Sequence, residues 1–309
     1  MAEFLWELPH SALLLRSLMA MALAAVCCGV VGCYVVLKRD SYAVGAVSHS
    51  LLGGVGAVLY LQGIFPALEE RLPWVTPWMG GLVAGVAVAI LITLLTTRWH
   101  FRMDTVLSAL WALGMALGVS FVNARPGYGT ELTSYLFGSI LIISRQDLGI
   151  IAALDAIVLL MAFLWHARFV ALAFHDELLT LRGISRGRVQ LAFQLMVAMT
   201  VVVLSQLVGT VLCMALLILP VAATSLVCRR IPVIMAVSGV LCFLCAFLGV
   251  GISYGAGPGS LWRSPGAVIV ELAGLAYLGF WLLSRLLAFL DQRSQAKGRK
   301  DDEQADLRQ

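Results

Sequence analysis

Asp176–Arg188, DELLTLRGISRGR, is the longest polar interruption in an otherwise apolar chain, and it falls where two blocks of hydrophobic helices would meet. Acidic residues at its start, Leu178, Leu179 and Leu181 in the middle and Gly183 as a stop describe a short amphipathic helix with a basic exit. Such a segment is either a solvated loop or a protein contact, and its length and position favour the contact. Around it, composition excludes a soluble fold. The 309 residues are 61% hydrophobic and 12% charged, with a mean hydropathy of +0.95, more apolar surface than one soluble core can hide. Several stretches reach the roughly 20 residues needed to cross about 30 Å of hydrocarbon as a helix, and none alternates like a membrane barrel strand. The predicted fold is all-α, a polytopic membrane helical bundle.

Spans are predicted at about 12–37, 44–65, 78–97, 104–123, 147–171, 189–206, 208–228, 231–254 and 267–290, nine in all, with eight as the alternative count. The first lacks a small-residue cleavage site and is followed by Lys38 and Arg39, so it is predicted to be a retained helix. Basic residues gather at Lys38 and Arg39, Arg98 and Arg102, Arg168 to Arg188, Arg229 and Arg230, and after Arg285. With nine spans these loops share one side, which predicts the N-terminus outside and the C-terminus in the cytoplasm. Leu136–Ile143 is too short to cross and suggests a short outer-face or re-entrant helix. The chain thus divides into one membrane domain, 1–290, carrying a cytoplasmic segment at about 174–188, and a polar tail, 291–309, with no apolar periodicity and an expectation of disorder.

Ionisable groups inside spans are costly and mark candidate function. His49 lies in VSHSLLGG among Ser48, Ser50, Gly53 and Gly54. Its imidazole suits Zn(II), Mn(II) or Fe(II), and the small residues permit close helix approach or a narrow passage. The alternative is a histidine hydrogen-bonded to a neighbouring carbonyl. Asp104 and Asp147 open helices and are explained as N-terminal charges, whereas Glu271 either reaches the outer interface or faces a cavity. Gly209 precedes TVLCMALLILPVAATSL, in which Pro220 predicts a kink beside the pathway. The seven cysteines lie in or beside spans and are expected to pack as small apolar groups without disulfides. No phosphate-cradling G-x-x-x-x-G-K-[ST] loop is present, so the chain has no ATPase site of its own.

Taken together, GVVGCYVVLKRDSYAVGAVSHSLLGG, LTSYLFGSILIISRQDL, FHDELLTLRGI, GTVLCMALLILPVAATSL and GISY followed by SPGAVIV resemble the membrane permease subunit of the manganese, zinc and iron chelate class of ATP-binding-cassette importers. The resemblance spans nearly the whole chain. It implies a type II importer-like permease in the inner (plasma) membrane, pairing with an identical or homologous permease to form the pathway. It also implies two cytoplasmic ATPase subunits that consume ATP and an extracytoplasmic solute-binding protein that delivers the metal ion. FHDELLTLRGI matches the family's coupling helix, so His175, Asp176, Glu177 and Gly183 are the expected ATPase contacts.

Two positions depart from the family. Where members commonly carry an aspartate four residues before the histidine that matches His49, this chain has Gly45, and Asp40 is too far along to replace it. In the coupling segment His175 stands at the leading acidic position and the acid is displaced to Asp176. The loop GAGPGSLWRS before Pro265 is also longer than usual. Competing functions are a permease for a metal chelate such as a siderophore or cobalamin, and an intramembrane enzyme or proton-coupled secondary transporter. The last two need paired ionisable groups inside spans, and His49 has no such partner at helical spacing.

Overall fold

The computed structural model describes residues 6, 10–65, 71–72, 74–99, 101–124, 144–174, 177–254 and 264–306, with backbone alone at 178, 206–207 and 290–306. The short segment expected at 136–143 and the loop 255–263 lie outside the described residues. The helices run in the order α1 Ala12–Leu37, α2 Ser41–Ile64, α3 Pro77–Thr97, α4 Met103–Ala124, α5 Arg145–Leu164, α6 His166–Phe174, α7 Glu177–Leu181, α8 Arg186–Val208, α9 Thr210–Ser225, α10 Ile231–Tyr254 and α11 Pro265–Asp306. Eight of them (α1–α5, α8, α10 and α11) are long and apolar enough to cross a membrane, and α9 is shorter. The protein is a multi-pass membrane helical bundle.

Burial sorts these helices. In their most apolar windows α1, α2 and α8 are 67% buried, whereas α5 and α11 are 22% buried. Outward faces carry large apolar groups such as Leu160, Phe163, Leu275 and Leu278, which lipid solvates as readily as protein does. At the centre α8 touches α1, α2, α3, α5, α6 and α9, while α9 and α10 pack on both α1 and α11. The α2 helix lies between α3 and α4. Glycine makes that sandwich possible: a Cβ on Gly54 of α2 or Gly80 of α3 would strike the other's carbonyl, and one on Gly114 of α4 would strike the Ser50 backbone. Close backbone approach of this kind drives helix association where burial from water is not available.

Three boundaries differ from the sequence-based expectation. The predicted span 147–171 is two helices, because α5 ends at Trp165 (φ −108°, ψ 10°) and α6 begins at His166. The amphipathic α6 buries Phe169 and Leu172, while Arg168 stacks on the Trp165 ring at 4.6 Å. The predicted loop between α8 and α9 is one residue, Gly209, at φ 84° and ψ 163°. Its neighbours Val208 and Thr210 are buried, so the break between the two helices lies inside the protein, where non-helical backbone is covered. With 16 residues, α9 reaches only about 24 Å. Finally, α11 runs past the predicted end of the last span at about 290, its backbone continuing as helix through Asp306. Gln, Ala, Lys, Arg and Glu are good helix formers, and extending an existing helix needs no new nucleus.

Candidate functional site

The α2 helix is built around small residues from Gly45 to Gly56, which lets α4 approach closely enough for Ser50 Oγ to donate to the Leu110 carbonyl at 3.2 Å. The next residue of α4, Trp111, lies over α2. Its indole stacks on the His49 imidazole with centroids 4.9 Å apart and planes 20° from parallel. His49 is 6% exposed, and its Nδ1 has no hydrogen-bond partner among the described residues. The alternative of a histidine tied to a neighbouring carbonyl is therefore not what those residues display.

The same indole accounts for Gly45. A Cβ built there would run into three ring carbons of Trp111. The carboxylate that the family resemblance places at this position is thus excluded sterically, and the space is taken by a ring that packs His49 instead. Asp40 does not compensate. It precedes α2, is 5% exposed, and is held by Lys38 Nζ at 2.7 Å and Gln194 Nε2 at 3.1 Å. Nine residues of helix separate it from His49 by about 13 Å. Among the described residues no group of three or more His, Cys, Asp or Glu side chains is arranged to hold a metal ion.

The other singled-out residues fall into place locally. Asp147 forms a capping box with Ser144, each side chain taking the other's backbone N–H at 3.1 Å. Asp104 sits in the first turn of α4. Glu271 is exposed on α11. Pro220 lies inside α9, and beside it the Leu217 carbonyl is packed so tightly on Gly32 of α1 that no Cβ fits there. All seven cysteines are free, six of them buried.

Sequence reasoning missed Asp155. It is 1% exposed in the middle of α5, on the stripe Ile151, Asp155, Val158 and Ala162 that the helix buries. Neither carboxylate oxygen has a hydrogen-bond partner among the described residues, while its backbone carbonyl lies 3.9 Å from Cys27 Sγ of α1. An acid isolated in a long apolar run was the available signal.

On the basic side of the bundle, α7 is a five-residue helix closed by Gly183 at φ 69°. Gly183 N–H bonds the Thr180 carbonyl at 3.0 Å and Ile184 N–H bonds the Leu179 carbonyl at 2.9 Å, the paired bonds of a Schellman ending. Leu179, 2% exposed, anchors the segment, and Leu181, 83% exposed, points away from it. Glu177 is exposed at its start, whereas His175 and Asp176 lie outside the described residues. Behind α7, Tyr34 of α1 meets His166 Nδ1 at 2.6 Å and packs edge-on against Phe169, so the base of the segment is tied to a central helix.

A model of the ABC 3 transport family matches residues 10–284. The chain is 34% identical over 273 residues to a probable metal transport system membrane protein of Chlamydia trachomatis, covering 88% of this chain and 89% of that one. It is 27% identical over 244 residues to the manganese transport system membrane protein MntC of Halalkalibacterium halodurans, covering 77% of each. Among solved structures, PsaBC from Streptococcus pneumoniae in complex with Fab superposes with a TM-score of 0.75 at 25% identity, over 91% of this chain and 95% of that one. With a family match that runs from α1 into α11 and a superposition of the whole bundle, this chain belongs to the ABC 3 transport family.

Proposed function

We propose that this chain is the membrane permease of an ATP-driven importer for a divalent transition metal, with manganese the first candidate among manganese, zinc and iron. The family match over residues 10–284 carries the proposal, and the names of the relatives direct it toward metal and manganese. Two copies, or this chain and a homologue, enclose the pathway, with the N-terminus outside and the C-terminus in the cytoplasm. A solute-binding protein delivers the ion on the outer side and two ATPase subunits dock on the other.

Within that assembly α7 is the ATPase contact. Its exposed Glu177 and Leu181, set on the rigid Schellman ending at Gly183, are what a partner's groove would engage. Because the ATPases must favour one permease state to drive transport, this contact biases the equilibrium between outward and inward states. Gly209 and Pro220 shape the helices beside the pathway. His49 is the transient ligand for the passing ion. Since Trp111 fills the position of a second ligand on α2, further oxygen or nitrogen donors come from the partner permease or from water.

Uptake of manganese, zinc and iron in cells expressing the chain with its neighbouring ATPase and binding protein, with and without an ATPase-dead substitution, tests this. ATP-dependent accumulation of one cation is expected. Transport of an intact metal chelate with no uptake of any free ion would replace the proposal with a chelate permease.

A further inference from the structure

One oxygen of Asp40 joins the corner between α1 and α2 to α8. Its Oδ2 accepts from Lys38 Nζ at 2.7 Å and from Gln194 Nε2 of α8 at 3.1 Å, while the Lys38 ammonium lies 4.7 Å from the centroid of the Phe193 ring. On the importer reading given above, in which α7 meets the ATPase and His49 the passing ion, we propose that Gln194 and Asp40 are positioning residues. The bond between them carries a displacement of α8 into α2 and so sets where His49 stands.

The corner that holds Asp40 has no slack. Arg39 is left-handed at φ 59°, and behind it Arg39 N–H bonds the Val36 carbonyl and Asp40 N–H the Val35 carbonyl, each at 3.0 Å. These are the paired bonds of a Schellman ending, and α2 starts at the next residue, Ser41. Although Asp40 is the N-cap residue of α2, its side chain bonds none of that helix's amides. Its carboxylate is turned to α8 instead.

On the other side of the bond, α8 follows α7 after residues 182–185, and within that connection Ile184 N–H bonds back to the Leu179 carbonyl of α7. Gln194 lies eight residues into α8, about 12 Å along its axis. From α7 to His49 the route is thus two helices joined by one side-chain hydrogen bond. The α8 and α2 helices also pack on each other, but apolar contact is non-directional. A hydrogen bond to a charged acceptor holds its partners in one geometry. Water is not at hand to replace it, since Asp40 and Gln194 are 5% and 0% exposed. Gln194 Oε1 has no partner among the described residues, so among them Asp40 alone orients this amide. Rigid elements linked by such bonds are how a shift at one site biases another.

The test uses proteoliposomes holding the full chain with its ATPase and binding protein, and reads manganese moved per ATP hydrolysed. Gln194→Leu and Asp40→Ala should each lower that ratio about five-fold while hydrolysis continues; a merely structural role would lower abundance and leave the ratio alone. Asp40→Asn, which keeps an acceptor for Gln194, should hold most of the ratio. Thr200→Val, whose lost bond is to the Met196 carbonyl within α8, should not change it. In detergent, without any transport, the melting-temperature losses of Gln194→Leu and Asp40→Ala should be non-additive in the double variant. A wild-type complex that moves no metal overturns the importer reading itself. A wild-type complex that transports, while Gln194→Leu and Asp40→Ala keep its ratio or their melting-temperature losses simply add, overturns the positioning role alone.

Discussion

Trp111 lies flat on His49, 4.9 Å between ring centroids, and in doing so occupies the space over Gly45 that a side chain there would need. One aromatic residue thereby fixes both the orientation of the imidazole and the identity of its neighbour one turn earlier on α2. Gly45→Asp alone should fail, since overpacking a filled site costs about 1–3 kcal/mol before the burial of a carboxylate is counted. Combined with Trp111→Ala, the same aspartate has room. Membrane abundance and thermal stability should therefore fall in Gly45→Asp and recover in the double variant, a coupling that two independent sites would not show. If the two effects simply add, the indole is not what excludes the carboxylate.

His49→Ala is the companion experiment. The substitution removes the stack, worth about 0.5–1.5 kcal/mol, and the imidazole donor. Metal uptake per folded protein should drop by about ten-fold, the loss expected for a weakened ligand set. Retention of full uptake at normal abundance would return His49 to a packing role.

At the coupling segment, the Schellman ending makes a graded prediction. Gly183 is left-handed with nothing within 4 Å of a built Cβ, so any cost of substitution is conformational. Gly183→Ala should cost about 1–2 kcal/mol locally and Gly183→Asn less. Both chains should insert normally. ATP hydrolysis by the assembled complex should persist while uptake falls, more in the alanine variant, and Glu177→Ala should do the same. Unchanged uptake in Gly183→Ala and Glu177→Ala would remove α7 as the docking element.

Which of these features could be read from sequence follows from their range. Apolar runs of membrane-spanning length announced α1–α5, α8, α10 and α11, and Ser144 with Asp147 announced a helix start, because those signals are local. Gly183 was legible for the same reason: a glycine after an amphipathic turn is a stop. The role of Gly45 was not, since its explanation is a tryptophan 66 positions away on another helix. Nor was the break at Trp165, where apolar residues continue on both sides and the backbone conformation of Trp165 ends one helix before the next begins at His166. His49 could be named as a candidate, but the stack that holds it required α4 to be placed on α2.

Asp155 separates a structural acid from a functional one. Asp155 is 1% exposed and neither carboxylate oxygen has a hydrogen-bond partner among the described residues, and replacing an unsatisfied polar group by an apolar one of similar shape is neutral or stabilising. Asp155→Leu should keep or raise the melting temperature in detergent. Uptake decides the rest: preserved uptake makes Asp155 dispensable, whereas lost uptake in a stable Asp155→Leu protein, restored in Asp155→Glu, would make its acidity part of transport.

The helix break at Gly209 is tightly constrained. At φ 84° and ψ 163° it occupies a region that only glycine populates readily, costing other residues about 1–3 kcal/mol. The turn is a single residue flanked by buried Val208 and Thr210, and the Gly209 carbonyl must still accept from Cys213 N–H at 3.0 Å. The strain therefore cannot be shed into a neighbouring loop. Gly209→Ala should lower thermal stability by that amount, whereas Gly274→Ala on α11, where a built Cβ meets nothing within 4 Å, should be neutral or stabilising by up to about 1 kcal/mol. If both alanines behave alike, α8 and α9 can be joined by a backbone that ordinary residues adopt, and α9 need not start inside the protein.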